Sequence, residues 1–517
     1  MKHIRIILCC CALSSAVYAQ NGQPVQPQQV TLLKPWLQTE NASGLKLSNV
    51  PVAGYTYLGA NLENGDFKKS QQPEKDKQFM FHSSRYQPLK GGVIYGSFNY
   101  AQQYSDNVRW NDLLNPYRGT PYNMVDSIGG NWKKQLFDME VKAATGLLAH
   151  EKLVLGAGLQ YSVGTGARQN DPRPLNNSGD FNIKPSLIYL LGKKHQIGIN
   201  GLYGFYNETV SFEVKNTTVT HSLYKLLGLG QYASPPTILS TSANRNYNGK
   251  RYGGAFQYNL QVNRWQWLTE VAYTSYEENV TDGSGLPVAG GTYKRQEYGG
   301  TSTWLYTPGT FAHRVSVGYQ MIDGSGIESH QKLIDGFWKT ILEAKFYAAS
   351  ESNARLEYML VKNKTASQYA WYAKAGVSWN DVENKYLVPY SRQHFSSIRY
   401  DVTGAYTWSF GKYSGLEAQV YGAYQSNIDG YLNYLLMTSG TNIIAQRMLY
   451  PDHDYYTANM LTAGAGVQYH FSWKEAAAAR FFIKLNGITT QRTSAPLIPT
   501  GPDGGRNRFV FTIGAFY

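Results

Sequence analysis

At 517 residues the chain is long enough for two or three soluble domains or for one large barrel. Its 51 Gly, 42 Tyr and 11 Trp, with charged residues at only 16% and a mean hydropathy of −0.40, fit many strands that each have one apolar and one wet face. For an exported chain, the formal charge of +13 points to acidic lipid headgroups or surface glycans and away from nucleic acid.

Residues 1–19 read as a cleavable signal peptide: Lys2 and Arg5 start it, Ile6 to Val17 is its apolar run, and Val17-Tyr18-Ala19 precedes cleavage at Gln20. A lipoprotein signal is the rival reading. Cys9 follows Leu8 instead of a small residue, however, and the cysteines come too early in the segment. Cys9, Cys10 and Cys11 are the only cysteines, so the mature chain is expected to carry no thiol chemistry and no thiolate metal site. After Ala19 no run nears the ~18 apolar residues of a membrane helix, which leaves a soluble chain or a membrane barrel. Residues 20–51, rich in Gln, Pro and Asn, are too short for a globular plug and are expected to form a periplasmic leader or small hatch. Residues 52–517 are then the barrel.

Period-two alternation recurs along that stretch. Leu153, Leu155, Leu159, Tyr161 and Val163 oppose Gly156, Gly158, Gln160 and Ser162; Tyr400, Val402, Tyr406 and Trp408 oppose Arg399, Asp401, Thr403 and Ser409. Leu461, Val467, Tyr469 and Phe471 oppose Thr462, Gly466, Gln468 and His470. These runs exceed the ~5–6 residues of a usual soluble strand and match a tilted bilayer crossing with aromatic ends. The repeated GAGLQY, GGAFQY and GAGVQY segments are irregularly spaced, which argues for shared strand composition over a solenoid period. The chain closes on RNRFVFTIGAFY, with Phe509, Phe511, Ile513 and Tyr517 on one face and Val510, Thr512 and Phe516 on the other.

Short connections alternate with long ones, the latter near 63–78, 105–133, 166–180, 207–250, 279–292, 323–336, 381–396, 427–455 and 493–506. Short turns belong in the periplasm and long loops outside. Strand parity fails in 323–367, where FWKTILEAKFY and ARLEYMLVK offer one strand too many; one of them must be a loop hairpin or a continuation of its neighbour. The expectation is an all-β, antiparallel up-and-down transmembrane barrel of about 18 strands, with 14 or 16 as alternatives. Lys474–Arg480 is helix-like but fills a turn.

The signal, the alternating aromatic-rich strands and the terminal FVFTIGAFY resemble the integral outer-membrane β-barrels of Gram-negative bacteria. The resemblance implies insertion in the cell outer membrane. It also implies that Phe509, Phe511, Ile513, Phe516 and Tyr517 form the signal read by the barrel-assembly machinery. The chain further resembles an uncharacterised barrel family of gut-type anaerobes that accompanies energy-coupled nutrient transporters. That likeness implies a companion subunit, with a plug-bearing transporter or a surface lipoprotein as partner.

No Gly-x-Ser-x-Gly is present, and Asp282-Gly283-Ser284-Gly285 and Asp323-Gly324-Ser325-Gly326 read as outer-loop turns. Asp452-His453-Asp454 is the densest candidate for catalysis or metal binding, but a solvated loop is the favoured reading. No catalytic residue, metal or cofactor is therefore expected. Alternation turns Glu270, Lys374, Arg399, Asp401, Glu417 and Lys484 inward, either as paired lining of a wet lumen or as a selectivity constriction. Tyr431, Tyr434, Tyr450, Tyr455 and Tyr456 are interfacial girdle residues, or else bind sugars or a partner. The expected function is a channel or a barrel subunit of a nutrient-uptake complex. A surface adhesion barrel and a rim-site hydrolase are the alternatives.

Overall fold

A computed structural model describes residues 31–239, 242–283, 286–365, 368–411, 414–436, 442–472 and 479–517. The signal segment, Ser284-Gly285 and most of the helix-like 474–480 stretch lie outside the described residues. The strands begin with β1 (Ala53–Gly65), β2 (Lys75–Leu89), β3 (Gly92–Val108), the two-residue β4 (Met124–Val125) and β5 (Gly130–Thr145). Next come β6 (Leu153–Arg168), β7 (Arg173–Leu191) and β8 (His195–Glu213), then three short loop strands, β9 (His221–Gly228), β10 (Gln231–Tyr232) and β11 (Thr237–Leu239). The wall continues with β12 (Ser242–Val262), β13 (Trp265–Asp282), β14 (Val288–Tyr306), β15 (Phe311–Ile334), β16 (Phe337–Thr365) and β17 (Gln368–Leu387). It ends with β18 (Tyr390–Phe410), β19 (Ser414–Asn433), β20 (Met460–Phe471), β21 (Arg480–Arg492) and β22 (Gly505–Phe516).

All but β4, β9, β10 and β11 form one 18-stranded antiparallel sheet in which each strand pairs with the next. β1 pairs back with β22 from Tyr55↔Phe516 to Gly65↔Arg506, so the sheet closes and no edge remains. The period-two pattern decides which face is which. In β18, Tyr400, Val402, Tyr406 and Trp408 are exposed on the outside, while Asp401, Thr403 and Ala405 are buried toward the lumen. In β22, Phe509, Phe511 and Ile513 face out, with Phe509 60% exposed, while Phe516 is buried and stacks on Phe482 at 4.6 Å. The Tyr517 backbone donates to and accepts from Gly54 at 2.9 and 2.8 Å, fastening the last residue to the first wall strand. Among the described residues no helix is long and apolar enough to cross a membrane.

The parity conflict resolves as a continuation. FWKTILEAKFY and ARLEYMLVK are one strand, the 29-residue β16, paired along its length with the 24-residue β15. At ~3.3 Å per residue β16 runs roughly 95 Å, and a bilayer crossing needs only about 9–11 residues, so much of it stands above any membrane. Stretches expected as loops at 166–180, 323–336 and 381–396 are likewise mostly wall, with connections of only 169–172, 335–336 and 388–389. Asp323-Gly324-Ser325-Gly326 is paired strand, not a turn. The turn lies at Asp335-Gly336, where both residues have positive φ (53° and 78°), as a two-residue hairpin requires.

Candidate functional site

The lumen is filled at both ends. At the long-loop end, three connections fold inward, over the described residues 109–129, 214–239 and 434–436 with 442–459. Their residues Leu113, Tyr122, Met124, Leu223, Leu229 and Leu449 form one apolar core with Val210, Phe212, Tyr247, Tyr276, Tyr293 and Tyr347 of the wall. A second cluster, Trp110, Val125, Leu226, Ile444 and Met448, joins the three loops to one another. Buried charges anchor this lid. Arg168 reaches Asp112 at 3.1 Å, also pairs with Asp126, and donates to the Pro172 carbonyl at 2.9 Å. Arg118 pairs with Glu278 and lies over the rings of Tyr206 and Tyr247 at 4.6 and 4.7 Å. Burial, with Asp126 alongside, raises the Asp112 carboxyl well above the usual carboxylate range.

Asp452-His453-Asp454 belongs to this lid and not to a solvated loop. The three residues sit in the short helix Tyr450–Tyr456, with His453 and Asp454 buried. Asp452 accepts from the Ser70 N–H and hydroxyl at 2.7 and 2.9 Å, Gln393 and His453 Nδ1 are 3.2 Å apart, and Asp454 holds Arg492 and the Leu497 N–H. Each residue clasps a different neighbour, so the triplet ties the lid together and presents no convergent site. The loop tyrosines also pack inside: Tyr455 stacks on Phe67 at 4.7 Å, Tyr456 on Phe395 at 4.6 Å, and Tyr434 and Tyr450 line the main core. Tyr431 packs against His394 at 5.5 Å, beneath the Arg392 guanidinium.

At the short-turn end, residues 31–51 lie against the inner wall. Trp36 is buried and donates to Gln196 at 2.8 Å; Asn41 donates to Gln257 at 2.9 Å; Ser43 meets Ser186 at 3.1 Å; Glu40 pairs with Lys184 at 2.7 Å. Leu32 and Leu33 pack beside Leu305, Ala312 and Met359, and Arg314 donates to the Leu32 carbonyl at 2.9 Å.

Beside this leader, strands β15–β18 carry a charged patch whose rows follow from the register. One hydrogen-bonded row holds Arg314, Met359, Lys374 and Thr403; the next holds Ser316, Glu357, Gly376 and Asp401; the third holds Gly318, Arg355, Ser378 and Arg399. Glu357 accepts from Arg314 at 2.6 Å and Arg355 at 3.0 Å, and pairs with Lys374 at 3.3 Å. Arg355 reaches Asp401 at 2.9 and 3.2 Å by passing over Gly376, where an added Cβ would lie 2.7 Å from the guanidinium and 2.9 Å from the carboxylate. Arg399 donates to the Tyr421 hydroxyl at 2.7 Å. Among the described residues, these rows set two carboxylates, Glu357 and Asp401, beside the four cations Arg314, Arg355, Lys374 and Arg399, so the patch is net cationic.

Of the inward charges expected from alternation, the fold brings Lys374, Arg399 and Asp401 together here. Glu417 and Lys484 share another row, one on each side of Gln468. Glu270 stands apart, accepting from Gln257 at 2.8 Å near the leader. Arg314, Arg355 and Glu357, the centre of the patch, escaped the sequence reading. Arg355 and Glu357 lie in ARLEYMLVK, the segment with unresolved parity, although its alternation does turn both inward.

Several solved structures are similar to this barrel. The copper transporter OprC is 8% identical with a TM-score of 0.41 over 90% of this chain and 83% of that one. The FrpB iron transporter of Neisseria meningitidis (F3-3 variant) is 8% identical with a TM-score of 0.41 over 92% and 83%. A Pseudomonas aeruginosa FadL homologue is 11% identical with a TM-score of 0.33 over 92% of both. No curated protein matches the chain. A family model does match residues 42–517, nearly the whole sequence, and the chain therefore belongs to DUF6850, a family of unknown function.

Proposed function

We propose that this protein is an integral outer-membrane barrel that passes a polar solute through its lumen, alone or as the barrel subunit of a nutrient-uptake complex, and that its resting state is closed. The observation that carries the reading is a net-cationic, hydrogen-bonding wall patch enclosed between a packed lid and an inner leader. An apolar outer face on every side of a closed sheet supports placement in lipid. The short turns and the leader then face the periplasm, and the lid faces outward. Cationic walls enrich anions, which sets the expected selectivity.

A second reading, a surface barrel that binds partners through its outer extensions, draws on one feature. Residues 328–346 of the β15–β16 hairpin pair only with each other, and Leu333, Phe337, Trp338, Ile341 and Leu342 are exposed there. Planar-bilayer recording separates the two. The intact protein is expected to be quiet, and deletion of residues 31–51 together with 109–129 to give anion-preferring current that Arg355→Glu shifts toward cations. A doubly deleted barrel that folds, by heat-modifiable migration, and stays silent refutes the transport reading and leaves the partner-binding one.

A further inference from the structure

A cavity of about 250 Å³ lies between the leader and the inner wall of β13–β16. At ~30 Å³ per water it has room for about eight water-sized groups, enough for one sugar-sized solute. Its wall lining includes Thr303, Ser316 and Glu357 from one row and Thr301, Gly318 and Arg355 from the next, with Arg314 beside them and Gln38 contributed by the leader.

The electrostatics of that lining are incomplete. Glu357 already serves Arg314, Arg355 and Lys374, and Asp401 is engaged by Arg355. The Arg355 side chain stays 39% exposed, and the rows around it hold four cations against two carboxylates. An anion offsets that excess of positive charge, and a carboxylate is the anion that best matches a guanidinium. The hydroxyls and side-chain amide in the same lining suit a ligand that is itself polyhydroxylated.

We propose that this cavity binds one small hydroxylated carboxylate, a sugar acid, with its carboxylate against the exposed side of Arg355 and its hydroxyls on Thr301, Thr303, Ser316 and Gln38. The assignment rests on the lumen being a solute path, and it makes the leader one wall of the site. Ligand and leader therefore hold each other in place.

Titration calorimetry on the full-length protein in detergent tests this with glucuronate as the probe, glucose as the uncharged analogue and acetate as the carboxylate without hydroxyls. Glucuronate is expected to bind at least tenfold more tightly than either control. Arg355→Gln should weaken it about tenfold or more, the size of one lost charge-assisted bond, and Thr303→Val by about threefold. Arg355 is chosen because its partners are wall side chains, whereas Arg314 also holds the leader; heat-modifiable migration checks the folding of each variant. Glucuronate that binds no better than glucose, or that ignores both substitutions, overturns the site. Binding needs no membrane, so conduction without glucuronate binding refutes the site alone, and glucuronate binding by a barrel that never conducts refutes the transport reading alone.

Discussion

Replacing Arg168 with Met should unlatch the lid and leave the barrel standing. Arg168 is fully buried at the end of β6, where it pairs with both Asp112 and Asp126 of the inward-folded 109–129 loop. Methionine fills much of the space but leaves two adjacent buried carboxylates with no cation. Breaking a buried pair by removing one partner costs about 3–5 kcal/mol, and at ~1.4 kcal/mol per tenfold the closed-to-open ratio of the lid falls by roughly 10²–10³ or more. The strand ladder of β6 is backbone-bonded to β5 and β7 and does not depend on the side chain. Amide hydrogen exchange reads this directly: protection across 109–129 should collapse by that factor, while β5–β8 keep theirs. The pH dependence has a definite sign. Asp112 has its carboxyl raised in the closed state, so closure gains stability as pH falls through that raised value and loses it as pH rises again. Acidification should accordingly restore part of the lost protection in Arg168→Met, after correction for intrinsic exchange. Protection of 109–129 that changes by less than about threefold at neutral pH, or that falls equally in β5–β8, would refute the argument.

Three further outcomes are expected. Phe511→Asp with Ile513→Asp, or removal of Phe516 and Tyr517, should abolish heat-modifiable barrel in outer-membrane fractions, because acidic groups on the lipid face cost somewhat less than the ~2–4 kcal/mol of basic ones yet act together at the closing seam. Epitopes at Asn216 and Gly336 should be stained on intact cells, and those at Lys193 and Pro308 only after permeabilisation; surface staining at Lys193 would invert the orientation. Gly376→Val should displace the Arg355–Asp401 bridge without unfolding the barrel, since the atoms it meets are the ends of flexible side chains. Its signature is a glucuronate affinity lowered as in Arg355→Gln with a melting temperature within a few degrees of the parent, and an unchanged affinity would count against the slot.

Much of the architecture was legible in the chain because a strand needs only its own residues to declare two faces. Tyr400, Val402 and Tyr406 against Arg399, Asp401 and Thr403 decide out from in at period two, and Phe509, Phe511 and Ile513 do the same at the seam. Legibility failed where both faces are wet. Toward the long-loop end the apolar signal fades, so the upper parts of β7, β15 and β17 read as loops and β16 read as two strands. Levels were also hidden. Glu357, Gly376 and Asp401 share a row only because sheet register sets them side by side, and register belongs to pairs of strands, never to one. Nor does any local pattern say that 109–129 turns inward. That fold is paid for by Leu113, Tyr122 and Met124 meeting Val210, Tyr247 and Tyr276 from strands far along the chain, and such contacts exist only once the barrel has closed.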